Sequence, residues 1–569
     1  LSGETKINLL NGATALVKRF IAALALLMTF VITGYGSQPD HKGPTLDSVP
    51  QYDLSVRLRP DAHRLEVTGT IRLRGSRASR AQLQLSLSEL MQDFKVEVLE
   101  PSASAGAARL ERRDASGKNT KWIVHMPRPV PASETILLRF SYAGGERPAT
   151  LFYIGSEVSF ASAWGTDWYP LFVGGDDKGT GTVRFSVPAG QTVMAEGKRT
   201  GTAEEAASGE FRFEIVRPTY FSFASGSFTV VRRDGAPTIS AYLLRPRQHM
   251  ESYLDGARKI LEVLGREFGA YPLDEFALVE IPRDLARQSG FNAASVQGFV
   301  MANSRAFDSP TVDHLLQWYG HEFSHQWFPH VFALRTPPGL FMEEALAEYG
   351  GLKVVEALAG PAAAERSRRT GFEYDPIYSA LAYFKLVGAG TDQPLSNLDS
   401  KPGHRDVAYN KGSLVFDMLA REIGPEKFRR IMHDINRRYG PRGLTWSQFL
   451  RAIEDGAGRD LGWFYEQWFE RTGAPEWQLN WKQEGDRVRG TITQPAPYYR
   501  AALEIEIQGG EGQRLTHTVK VRGARTEFAV PVRFRAQAVT LDPHYLFVRW
   551  TPEYHAEANA ARPTQTVSQ

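Results

Sequence analysis

The hydrophobic period changes twice along the chain, and this limits the fold more than any other feature. From Gln51 to about Arg232 apolar and polar residues alternate one by one, as in "YDLSVRLRPDAHRLEVTGTIRLRG", "TILLRFSYAG", "TVRFSVPAG" and "FRFEIV". Near Arg247 apolar residues begin to recur at three- and four-residue steps, as in "HMESYLDGARKILEVLGREFG"; a short strand, "FALVEIP", follows, and from Thr311 to about Gly473 helical patterns dominate, as in "KGSLVFDMLAREIG". After "GAPEW" the alternation returns in "AALEIEIQ", "THTVKVRG" and "TEFAVPV". A period of two places successive side chains on opposite faces of a strand, whereas a period near 3.6 stripes one face of a helix. At 569 residues the chain is also too long for one ordinary core. The expected class is therefore multidomain α+β: an N-terminal antiparallel β domain over 51–235, a mostly helical domain over 236–475 and a small β-sandwich over 476–552. Residues 553–569, polar and alanine-rich, are expected to form a disordered tail.

The first residues follow another pattern. Lys18 and Arg19 precede "FIAALALLMTFVI", a run of 13 residues from Phe20 to Ile32, and the small residues "TGYGS" follow. A positive start, a short apolar run and a small-residue exit predict an export signal over 1–36, with a linker over 37–50. An uncleaved anchor or a buried helix is the alternative. Export to a bacterial periplasm or the cell exterior is expected, with membrane association only through this segment. The chain has no cysteine, so disulfides, thiolate ligands and a cysteine nucleophile are excluded. A formal net charge of +3, with no basic stripe interleaved with aromatics, excludes nucleic acid as the expected partner.

The chemistry concentrates in "HEFSHQWFPHVFALRTPPGLFMEEALAEYG", residues 321 to 350. His321 and His325 are four positions apart and project from one face of a helix that is expected to start near Thr311 or Asp313 and stop at Pro329. Glu322 completes H-E-x-x-H. A catalytic zinc needs three protein ligands and one open position. Eighteen residues, Gln326 to Glu343, separate His325 from Glu344, and a second helix expected to begin near Leu340 would bring Glu344 back over the histidine pair as the third ligand. Glu348, one turn later, would support one of the histidines from behind. Glu343 is the alternative ligand, pointing about 100° away from Glu344 on the helix.

"HEFSHQWF", the eighteen-residue interval and "EEALAEY" resemble the membrane alanyl aminopeptidase family of zinc metallopeptidases, the gluzincins with H-E-x-x-H and a distal glutamate. "QYDLSVRLRPDAHRLEVTGTIRL", "WYPLF", "FGAYPLDEFALVEIP" and "WFYEQWFERTGAPEW" extend the resemblance from Gln51 to Arg549. It implies a thermolysin-like catalytic domain, one zinc ion and a compact three-domain form without the large C-terminal helical domain of many members. "VAYNKGSLVFDML" is similar to the family's Tyr-x-Lys-Gly helix start and implies that Tyr409 donates a hydrogen bond to the developing oxyanion. Glu322 is then the general base and acid for an attacking water.

The groups with which this family holds a substrate's free amine are replaced. The segment Asn292 to Val296 reads "NAASV", placing Ser295 where a glutamate belongs, and the position seven before Trp168 is Ala161. Ser295, Gln297 and Glu157 are the remaining candidates for substrate binding, with Asp167 as a further nearby carboxylate. The expected function is a zinc-dependent metallopeptidase acting on peptides or proteins, aminopeptidase-like but with altered amine anchors. The alternatives are an endopeptidase, a hydrolase of blocked peptides or non-peptides, and a non-catalytic binding protein on the same scaffold.

Overall fold

The computed structural model describes residues 49–74, 79–113, 119–173, 178–336, 338–371, 378–399, 401, 403–440 and 442–562. The expected export segment and nearly all of the linker lie outside the described residues. Among the described residues no helix is long and apolar enough to cross a membrane. The described residues group into two compact units: those up to Leu254 with Leu273–Pro310, and Asp255–Pro272 with those from Thr311 onward.

The first unit is the strand-rich one. Its opening strand Gln51–Arg59 alternates strictly, burying Tyr52, Leu54, Val56 and Leu58 and exposing the residues between them. A turn at Pro60–Ala62 returns the chain as Arg64–Leu73, with Val56 opposite Val67. These strands lie within an eight-stranded sheet, beside two four-stranded sheets in the same unit. The sheet is not purely antiparallel as expected: Gln51–Arg59 pairs in parallel with Gly179–Ser186, a long-range pairing that alternation cannot reveal. Trp168 and Tyr169 of "WYPLF" are fully buried. The Trp168 indole donates to the Phe221 carbonyl at 2.8 Å, and the Tyr142 hydroxyl donates to the Trp168 carbonyl at 2.6 Å, so the polar tips of this aromatic cluster are satisfied.

The same unit holds a five-stranded mixed sheet beyond the expected boundary at 235. Its inner strands Thr238–Leu243, Glu275–Ile281 and Phe299–Asn303 are parallel neighbours, while Thr229–Arg233 and Ala293–Val296 pair antiparallel at the edges. The crossover between the first two inner strands is the helix Met250–Phe268, whose residues from Asp255 onward belong to the second unit.

The second unit is helical from Thr311 to Trp468 and ends in two three-stranded antiparallel sheets. One contains Gln478–Glu484, Arg487–Thr493 and Arg525–Pro531; the other contains Ala501–Gly509, Arg514–Val521 and Ala536–Leu541. Leu503, Ile505 and Ile507 form the buried face of the central strand of the second sheet. The tail expected from 553 is corrected over its first part. Pro552–Ala561 is a helix capped by the Thr551 side chain, and Tyr554 and Ala558, four apart, are buried on one face. Tyr554 stacks on Phe384 with ring centroids 4.8 Å apart.

Candidate metal centre and active site

Three helical segments of the second unit build the site. The first, Leu316–Ser324, is buried along its whole length. It ends five residues before the expected stop at Pro329. The Ser324 hydroxyl donates back to the Gly320 carbonyl at 2.6 Å, and the His325 ring bonds forward to the Phe328 carbonyl, so the chain leaves the helix in turns. The second segment, Gly339–Leu358, packs on the first through glycine. A Cβ added at Gly320 would lie 2.8 Å from the Gly351 Cα, and one added at Gly350 would lie 2.0 Å from the Ser324 Oγ. Only bare backbone permits this approach, which brings Glu344 over the histidines.

The third segment runs from His404 to Ile423 as one helical stretch, widened to a π turn at Ala408–Gly412. Tyr409 therefore sits inside a helix and not at its start, in a widened turn of the kind that recurs at functional sites. Gly412 meets the second segment closely: a Cβ there would lie 2.6 Å from that of Ala345.

His321, His325 and Glu344 converge. The two Nε2 atoms are 3.2 Å apart, and Glu344 Oε2 lies 3.5 Å from the first and 3.3 Å from the second. These three donors form the only metal-competent cluster of this kind among the described residues. His325 Nδ1–H donates to the Phe328 carbonyl at 2.7 Å, which leaves the Nε2 lone pair of a neutral ring facing the cluster. His321 Nδ1 lies 3.1 Å from Glu348 Oε2, which favours the same tautomer. Gln317 holds the other oxygen of Glu348 and is itself held by Ser367 Oγ at 2.8 Å. Two imidazole lone pairs and a carboxylate oxygen aimed at one point suit a zinc ion, so the donor set fits the implied metal. Burial opposes charge on His321, but Glu344 and Glu348 outweigh it and raise its pKa to about 10; the site favours a positive charge. Glu343 is not among the clustered donors, and its Oε1 accepts the Leu334 backbone N–H at 2.6 Å.

Glu322 is buried beside the ligands, and desolvation holds its carboxyl above the usual range against the opposing charges of His321 and His325. The Tyr409 hydroxyl donates to Glu344 Oε2 at 2.7 Å. Burial raises the Tyr409 phenol far above its ordinary value, so it keeps its proton. Its ring stacks on Tyr378 with centroids 4.5 Å apart. Arg405, which the sequence reading missed, donates to Glu344 Oε1 at 2.8 Å and to the Tyr409 oxygen at 2.8 and 3.1 Å. The available signal was its position four residues before Tyr409, on the same helical face.

The substrate candidates belong to the first unit. Ser295 is buried in the edge strand Ala293–Val296, opposite Val300. Gln297 is buried in the turn that follows, and its backbone N–H donates to Glu196 Oε1 at 2.9 Å. Glu196, unmarked by any motif, is a buried carboxyl pushed well above the usual range by desolvation. Ala161 is buried opposite Phe223, Glu157 is exposed, and Asp167 is held by the Ser86 hydroxyl.

Residues 253–468 match the model described as the peptidase family M1 domain. The chain is 21% identical over 254 residues to the tricorn protease-interacting factor F2 of Thermoplasma volcanium, covering 42% of this chain and 30% of that protein. It is 22% identical over 302 residues to aminopeptidase N of Streptomyces lividans, covering 49% and 33% respectively. The aligned regions thus span about a third of the length of these relatives. The solved structure of Legionella pneumophila aminopeptidase A in complex with aspartic acid superposes with a TM-score of 0.64 at 15% identity, over 92% of this chain and 62% of that one, and shares the fold. Residues 253–468, which carry H-E-x-x-H, the distal glutamate and the tyrosine placed as described, are thus similar to the peptidase family M1 domain.

Proposed function

We propose that this protein is a zinc-dependent metallopeptidase that hydrolyses peptide bonds, with aminopeptidase action as the leading mode. The observation that carries the reading is the convergence of His321, His325 and Glu344 donor atoms beside Glu322 and Tyr409. His321, His325 and Glu344 would hold one zinc ion. When bound, zinc supplies a Lewis acid that acidifies water and polarises a carbonyl. Glu322 takes the proton of the attacking water and delivers it to the leaving nitrogen. Tyr409, kept protonated, donates its O–H to the oxygen on which negative charge develops. Glu348 and Gln317 fix the His321 ring, and the Phe328 carbonyl fixes His325.

Relatives named aminopeptidases support cleavage at a free N-terminus. A second reading, cleavage that does not select a free amine, is favoured by Ala161, which offers no group for an ammonium, and by the neutral Ser295. The apolar run from Phe20 to Ile32 supports export, with peptides outside the cytoplasm as substrates. The test is hydrolysis of matched free and N-acetylated peptides by wild type and Glu322→Gln, with and without chelator. Chelator-sensitive cleavage lost about 10²–10⁴-fold in Glu322→Gln, with zinc content retained, supports the metallopeptidase. Equal cleavage of free and acetylated peptides selects the second reading, and no chelator-sensitive cleavage leaves the non-catalytic scaffold.

A further inference from the structure

We propose that Arg405 is a positioning residue, one guanidinium that clamps both Glu344 and Tyr409 and thereby sets which carboxylate oxygen faces the histidines and where the phenol proton points. The proposal rests on the metallopeptidase reading and deepens it. Arg405 Nη2 donates to Glu344 Oε1 at 2.8 Å, so that oxygen is occupied. Glu344 Oε2 is the oxygen 3.5 and 3.3 Å from the two Nε2 atoms, which makes it the ligand atom. Arg405 Nη2 and Nε also donate to the Tyr409 oxygen at 2.8 and 3.1 Å. A guanidinium has donors only, so the phenol accepts on that side and its single proton must point elsewhere. In the structure that proton goes to Glu344 Oε2 at 2.7 Å. With Oε2 available as the donor that would hold the metal, a substrate oxygen would compete for the same Tyr409 proton.

The guanidinium also lies over the phenol it bonds, its carbon 5.3 Å from the Tyr409 ring centroid, while one of its nitrogens reaches the Glu344 carboxylate. A lysine could satisfy Glu344 from this position but could not present the planar fork that reaches a carboxylate and a phenol together.

The experiment uses the full chain as Arg405→Gln, Arg405→Lys, Tyr409→Phe and the double variant Arg405→Gln/Tyr409→Phe, each checked for folding by circular dichroism. Zinc ion affinity is read by competition with a chromogenic chelator, and kcat and KM are read at saturating zinc. Arg405→Gln is expected to weaken zinc by about 10-fold or more and to lower kcat by about 10–100-fold with KM nearly unchanged. Arg405→Lys should restore most of the zinc affinity but not kcat. The double variant should be no slower than Tyr409→Phe alone, because the clamp acts on kcat through that phenol. Wild-type zinc affinity and kcat in Arg405→Gln, or losses that multiply with Tyr409→Phe, would overturn the proposal. If wild type shows no chelator-sensitive hydrolysis, the metallopeptidase reading fails by itself. Zinc affinity then decides the clamp: reduced in Arg405→Gln and recovered in Arg405→Lys supports it, and unchanged in Arg405→Gln refutes it.

Discussion

At the residue scale, each histidine faces the site because another group holds its far nitrogen. His325 is held by a backbone carbonyl, and the Glu348 carboxylate lies 3.1 Å from the far nitrogen of His321 as an ion-pair neighbour. Replacing Glu348 with Gln should leave the fold intact, lower zinc affinity by about 10–100-fold and reduce activity at limiting zinc, as measured by chelator competition. The clustering of the His321, His325 and Glu344 donors, with Glu348 behind them, was legible because helical geometry converts spacings of four into a shared face. Arg405 was not: four residues before a tyrosine, an arginine reads as a solvent-facing partner, and only the third dimension shows a carboxylate from a distant helix beside it. The choice of Glu344 over Glu343 followed from the roughly 100° between adjacent helical residues. In the structure Glu343 Oε1 accepts the Leu334 N–H and Glu343 lies outside the donor cluster.

At the element scale, the approach of two helices through Gly320, Gly350 and Gly351 sets the distance between Glu344 and the histidine pair. Gly350→Ala would place a methyl 2.0 Å from Ser324 Oγ, which is already committed to Gly320. It should cost about 1–3 kcal/mol in denaturant unfolding and weaken zinc by moving Glu344. Gly265→Ala, where nothing lies within 4 Å, is the matched control. A second prediction concerns Asp167, ahead of the buried Trp168 in the first unit. Desolvation raises its carboxyl to about 6, with the Ser86 hydrogen bond opposing. A carboxyl raised in the folded state contributes stability that is full below its unfolded pKa and lost as pH rises through the folded one. Asp167→Asn should therefore gain stability relative to wild type between about pH 4 and pH 7, read by urea unfolding at both. Element type was legible from period, but element ends were not. The stop at Ser324 and the π turn around Tyr409 depend on a serine back-bond and on packing against Ala345, which periodicity does not encode.

At the scale of the whole molecule, a metal held by residues from two helices would join segments far apart in sequence within the second unit. Stripping zinc should lower the melting temperature of that unit in calorimetry, and restoring it at a thousandfold excess over its dissociation constant should return about 4 kcal/mol. The two changes of hydrophobic period were enough to predict a multidomain α+β chain. H-E-x-x-H with a distal glutamate was enough to predict that His321, His325 and Glu344 cluster, because both signals arise from local geometry that repeats wherever the residues do. Tertiary structure decided what depends on which distant segments meet. It placed the mixed sheet with the β-rich unit, paired Gln51–Arg59 in parallel with Gly179–Ser186, and closed the C-terminal helix over Phe384. It also put Arg405 between Glu344 and Tyr409, 61 residues from the one and 4 from the other. Contacts between distant segments depend on the packing of the entire chain, and no short stretch of sequence contains them.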